Sequence, residues 1–300
     1  EMRKGDIRFC IATLIARYAK PTHPLEGWHS PEQAWATVQG QISWYREMDR
    51  QNELKMVTSQ LAFEKVSGQW DNGRIGFLMS LEGADAIVTF DHLYKLYEQG
   101  LRAIGPAHYG PGTYAYGTNS EGGLGVKGKE LLTKMEELGI VLDVTHLCDT
   151  SFWEAITHFN GLLWASHSNT RSLVPHNRQF SDEQIKVLIE RDAVIGQVLD
   201  AWMLVPDWKR GISNPSNTEV QLSHMVNHMD HICQIAGNTN HIAIGSDLDG
   251  GFGSEQAPSD MNTIADLQKL KPILIQRGYS HSDIRKIFHG NWERVINQAL

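Results

Sequence analysis

Short apolar runs bounded by glycine alternate with amphipathic segments along the whole chain, and this alternation restricts the fold more than any other feature. The runs fall near residues 7–15, 75–80, 101–107, 140–144, 162–165, 193–199 and 241–245 and are rich in Val, Ile and Leu. Runs of this length and composition read as strands buried on both faces, as in a parallel sheet. Between them lie helical patterns. Ser30-Pro31-Glu32 supplies a serine cap, a proline at the first helical position and an acid in the first turn, opening a helix expected to reach about Lys65 in one or two pieces. Further helices are expected near 91–99, 127–138, 150–159, 181–191, 218–236, 261–277 and 282–298. A loop carrying Pro21, Pro24 and Gly27 follows the first strand, and the stretch from Tyr109 to Gly125 is too rich in glycine for regular structure.

Strand and helix alternate without internal repeats or a break in composition. The expected class is therefore α/β, with a parallel sheet and crossover helices, and 300 residues suit one (β/α)8 TIM-type barrel. A doubly wound open sheet is the alternative. Seven strands are legible where a closed barrel has eight. The first strand is accordingly expected upstream of Glu1, making residues 1–300 a single, N-terminally incomplete barrel domain.

The 27 basic and 35 acidic residues give a net charge of −8, which argues against nucleic acid or an anionic membrane as the main partner. No window approaches the eighteen or so uninterrupted apolar residues of a transmembrane helix. The three cysteines, Cys10, Cys148 and Cys233, lack metal or disulfide spacing and fit a reducing compartment such as the cytoplasm. No signal-peptide pattern opens the chain at Glu1-Met2-Arg3-Lys4.

In a barrel of this kind the chemistry sits at the carboxyl ends of the strands. Just past those ends stand Glu82, His108, His146, His167 and Asp247, so five of the seven strands deliver a ligand- or base-type residue. Plain alternatives exist for each. Glu82 would serve as a loop carboxylate, His108 as a strand cap, and Asp247 and Asp249 as turn formers ahead of two glycines. Arg178 would pair with Asp182 at the surface. Jointly, a carboxylate and two imidazoles point to zinc or a similar divalent ion.

Several segments resemble the renal or membrane dipeptidase family of zinc peptidases, within the amidohydrolase-like barrels. They are Leu81-Glu82-Gly83, Ala107-His108, Gly123-Leu124 through Lys129, Gly139 to His146 (GIVLDVTH), Ala165-Ser166-His167-Ser168, His176-Asn177-Arg178, Ile244 to Gly250 (IGSDLDG) and Gly290 to Val295 (GNWERV). The match is collinear over essentially the whole chain. It implies a metal-dependent dipeptidase with two zinc ions per chain, Glu82 bridging them and His146 and His167 holding the second. His108 and Arg178 are then implied to contact a short peptide substrate, Arg178 through its carboxylate, while Asp247 handles the proton and completes the substrate site. The family commonly forms dimers, so a homodimer is also implied.

One departure stands out: the family's first strand ends in a His-x-Asp pair that holds the first metal. Here that form occurs only in His228-Met229-Asp230, inside an expected helix, and His281-Ser282-Asp283, at a helix start, so both are expected to be decoys. The alternatives are a hydrolase of N-acyl amino acids or lactams on the same centre, or, if the His-x-Asp strand is truly absent, a catalytically inactive binding homologue.

Overall fold

Strand β3 (Ile75–Glu82) explains most of the local architecture, because seven of its eight residues are buried and only the terminal carboxylate is partly exposed. A strand this apolar on both faces needs cover on both, which a parallel sheet with crossover helices provides. The computed structural model describes residues 1–19, 26–68, 73–248 and 250–300. The expected prolines at 21 and 24 and the expected turn residue Asp249 lie outside the described residues. Residues 8–163 with 297–300 form one compact unit, and residues 1–7 with 164–296 form a second.

In the first of these units, β1 (Phe9–Ile15) pairs in parallel with β3, from Phe9 opposite Gly76 to Ile15 opposite Glu82. The other edge of β3 carries β4 (Leu101–Gly105) along its carboxyl half, and β4 in turn pairs with β5 (Val141–Asp143). Helix α1 (Pro31–Arg50) begins at the expected cap, where Ser30 accepts the Gln33 N–H, and it buries Ala34, Val38 and Ile42. The helix expected to reach Lys65 is interrupted. Asn52 takes a left-handed backbone (φ 59°), and Leu54–Met56 forms a short strand, β2, before α2 (Gln60–Gly68). β2 pairs in parallel with Ile75 to Phe77 of β3, so the count of seven strands is corrected to eight among the described residues. Helices α3 (Phe90–Glu98), α4 (Gly125–Leu138) and α5 (Asp149–His158) follow at the expected positions.

The short strand β6 (Leu163–Trp164) ends one unit and opens the other in sequence; in the second unit Ala165 bridges to Ile195 of β7 (Ile195–Gln197), and β7 pairs in parallel with β8 (Ile242–Ile244). Each strand is shorter than its apolar run, because the flanking residues leave the ladder to turn. Helix α6 (Asp182–Glu190) carries a full capping box between Ser181 and Gln184. Helix α7 (Leu222–Ala236) covers the strands with Met225, Val226, Met229 and Ile232.

The helix expected over 261–277 starts instead as a 3₁₀ segment, Ile264–Lys269, and becomes α-helical only in α8 (Leu270–Gln276). Pro272 has no N–H to donate back at that junction. The last expected helix divides into α9 (His281–Arg285) and α10 (Asn291–Ala299), joined by a π-helical turn at Lys286–Gly290. The fold is thus α/β with parallel strands, as the alternation predicts. No helix among the described residues is long and apolar enough to cross a membrane.

Candidate metal centre

Glu82 is the last residue of β3 and His146 lies just past β5, so parallel pairing brings both to the carboxyl ends of their strands. Their side chains meet, with His146 Nε2 3.1 Å from Glu82 Oε1. The His146 backbone is left-handed (φ 70°), a conformation that few non-glycine residues adopt and that accompanies functional constraint. Behind the ring, Nδ1 lies 3.1 Å from Thr118 Oγ1, and that hydroxyl also donates to the His146 carbonyl at 3.4 Å. The hydroxyl can accept from Nδ1–H, the tautomer that leaves the Nε2 lone pair for a metal ion, or donate to Nδ1, the tautomer in which Nε2–H donates to Glu82.

A carboxylate oxygen and an imidazole nitrogen at this separation share either a proton or a cation. Two ligands ~2.0–2.1 Å from one tetrahedral zinc sit about 3.3 Å apart, so the pair fits a divalent ion. A hydroxyl beside Nδ1 is the kind of outer partner that metal-bound histidines usually have.

His108 follows β4 and packs its ring 4.4 Å from that of His146, with Tyr109 against both. Its Nε2 is 4.0 Å from Glu82 Oε1. Its Nδ1 is 2.6 Å from Nη2 of Arg17, a residue just past β1 that no sequence signal marks. Arg17 also donates through Nη1 to the Glu26 carbonyl at 2.8 Å. Burial lowers the pKa of its guanidinium, and attraction to Asp85, Glu82 and Tyr109 opposes that shift.

The second unit assembles the other three expected residues. His167 follows β6, with Ser166 Oγ 2.8 Å from its Nδ1 and Asp247 Oδ2 3.9 Å from its Nε2. Gly196 and Gly245 make this convergence possible, since a Cβ on either would stand 2.1 or 2.0 Å from the Ser166 carbonyl oxygen. Asp247 has a left-handed backbone (φ 55°), and a Cβ at Gly250 would collide with its carboxylate at 2.2 Å. Arg178 is buried, and it donates to the His167 carbonyl at 2.9 Å and to Ser168 Oγ at 3.5 Å. It does not take the surface alternative. Asp182 instead accepts from Ser172 Oγ and lies 2.8 Å from His231 Nε2.

Both stray His-x-Asp triplets are structural. His228 is fully buried in α7, its Nδ1 accepting the Thr170 N–H at 3.2 Å and its Nε2 3.3 Å from the Leu204 carbonyl. His281 opens α9, where Ser280 and Asp283 form a capping box. Sequence reasoning missed Arg17, Thr118 and Tyr109. The first reaches its target through a long side chain, and the other two lie in a loop whose only visible signal is glycine content.

The family model described as membrane dipeptidase, peptidase family M19, matches residues 1–300, and the chain belongs to that family. An uncharacterized protein of the pqqA 5′ region of Klebsiella pneumoniae is 29% identical over 215 residues, 69% of this chain and 75% of that protein. Dipeptidase tcpJ of Claviceps purpurea is 24% identical over 236 residues, 76% of this chain. The match spans about half the length of that relative (52%) and of a second uncharacterized protein, from Acinetobacter calcoaceticus (54%).

Among solved structures, dipeptidase AC, a metallo peptidase of family M19, superposes with a TM-score of 0.87 at 23% identity, over 99% of this chain and 87% of that one. A metallo peptidase from Rhodobacter sphaeroides, liganded with a phosphinate mimic of the dipeptide L-Ala-D-Ala, gives 0.84 at 22% identity, over 100% and 89%. The fold is therefore that of the TIM-barrel-like M19 dipeptidases.

Proposed function

We propose that this chain is a metal-dependent dipeptidase that hydrolyses the amide bond of short peptides bearing a free carboxylate. The observation that carries the reading is the 3.1 Å approach of Glu82 Oε1 to His146 Nε2 at the carboxyl ends of two parallel strands of one sheet. Membership of a peptidase family supports it independently. Glu82, His146 and His167 are the proposed ligands, zinc the proposed ion, and two ions per chain with Glu82 as the bridge the proposed stoichiometry. A homodimer is proposed on the family's habit alone.

A bound divalent ion supplies a water acidified to near neutrality and a polarised scissile carbonyl. The remaining work falls to the protein's own side chains. Asp247, beside His167, accepts the water's proton on a carboxylate oxygen and returns it to the leaving amine, as general base and then general acid. His108 donates a hydrogen bond to the developing oxyanion from a fixed position. Arg178 uses some of its five N–H donors to hold the His167 carbonyl and Ser168, and offers the rest to the substrate carboxylate in planar, two-pronged geometry.

The test is hydrolysis of a dipeptide panel by the full chain supplied with zinc, using free and amidated carboxyl ends, with N-acyl amino acids alongside. Cleavage of the free dipeptides, abolished by a chelator and weak on the amides, is expected. No cleavage together with no retained metal would remove the proposal, and cleavage confined to N-acyl amino acids would move the substrate class.

A further inference from the structure

Arg17 enters the site from a direction that the metal ligands do not explain. It stands two residues past β1, and its guanidinium is held between the Glu26 carbonyl (2.8 Å from Nη1) and His108 Nδ1 (2.6 Å from Nη2). Asp85 fixes the neighbourhood, because its carboxylate accepts the Tyr18 N–H at 3.2 Å and the Thr113 N–H at 2.8 Å. A guanidinium has donors and no acceptor, so the contact with His108 has one possible sense: Arg17 donates and Nδ1 accepts. The neutral ring then carries its proton on Nε2, the nitrogen 4.0 Å from Glu82 Oε1.

We infer that Arg17 is a positioning residue, which holds His108 in the single tautomer and ring orientation that present Nε2–H to the reacting carbonyl. The inference rests on the dipeptidase reading for what His108 then does. The tautomer itself follows from the contact alone. A ring free to flip or to move its proton would offer a lone pair to the oxyanion part of the time, and a lone pair repels developing negative charge. A donor aimed in advance is useful because it needs no reorganisation as that charge appears. Neither β1 nor its sequence indicates this function, since the link is made across the sheet from β1 to β4.

The test uses nitrogen NMR of histidine-labelled, metal-free protein, with His108→Gln to identify the His108 signals. In the wild type, His108 is expected to show a bare Nδ1 and a protonated Nε2. Arg17→Met keeps the side-chain bulk and removes the donor. It should bring in the Nδ1–H tautomer and lower kcat on dipeptides by about 10- to 100-fold, with KM changed less, as losses of outer-shell hydrogen bonds do. Arg17→Lys keeps a donor and should restore both the ring spectrum and most of kcat. A wild-type His108 protonated on Nδ1 would overturn the inference. So would an Arg17→Met protein, folded by its thermal midpoint, that keeps the wild-type ring spectrum. Absence of all dipeptide hydrolysis would instead remove the proposed function, and the ring spectrum would still decide the role of Arg17.

Discussion

His146 shows how a single residue combines strain, burial and chemistry. Its left-handed backbone turns the chain sharply after β5 while its side chain stays almost wholly buried, 5% exposed, against Glu82. Such a backbone persists when surrounding contacts over-determine it. Here they do: Thr118 binds both the ring and the carbonyl. On the proposed function, Thr118→Val removes the acceptor for Nδ1–H, frees the ring to take the other tautomer and lowers zinc affinity by about 10- to 100-fold. Competition against a chelator of known affinity measures this, and an unchanged affinity would show that Thr118 serves the loop rather than the ligand. Glu82, His146 and His167 were legible as strand-end residues because each follows an apolar run. Thr118 and Arg17 were not, because their positions depend on loop closure and side-chain reach, which leave no periodic trace.

Elements were legible where local chemistry is strong. The serine caps at Ser30 and Ser181 accept the N–H groups of Gln33 and Gln184, and both helices start where those residues indicate. β2 was not legible, since Leu-Lys-Met within a helix-like window acquires strand identity only from its pairing with β3. The split of the last helix has a similar origin, because α10 is tethered to the sheet at its first residues. Asn291 is 3% exposed and donates to the carbonyls of Thr239 and Ile242, both at 2.7 Å, and Trp292 Nε1 donates to Ile244 at 2.9 Å. Asn291 and Trp292, immediately after the π-helical turn, thereby bind both ends of β8, Ile242 and Ile244. Asn291→Leu keeps the volume and strands one buried and one half-buried carbonyl, which is expected to destabilise the fold by on the order of 1–3 kcal/mol. Urea unfolding measures the loss. A change below about 0.5 kcal/mol, the range of ordinary surface substitutions, would mean that the carbonyls find other donors.

At the scale of the molecule, one family match spans both compact units. Stability at this scale has a pH dependence traceable to His228, the buried histidine of a triplet that imitates a metal motif. Burial lowers its pKa to about 4 in the folded protein, with the neighbouring His231 and His224 adding to the shift and the hydrogen bond to Leu204 opposing it. In the neutral ring Nδ1 accepts the Thr170 N–H at 3.2 Å, an acceptor role that protonation removes, with the Thr170 hydroxyl 2.9 Å away. An unfolded histidine titrates near 6.5. Between these values the unfolded chain holds the extra proton, so the contribution is complete above about pH 6.5 and is lost as pH falls toward about 4. Its full size is on the order of 3 kcal/mol. Carboxylates titrate over part of the same range, so the measurement is a difference: urea unfolding free energies of wild type and His228→Gln from pH 7.5 to 4.5. The variant is expected to be less stable at pH 7.5 and to lose less on acidification, so that the two curves converge. Parallel curves would mean that His228 takes up its proton in the folded state as readily as in the unfolded one, and the acid sensitivity would then belong to other groups.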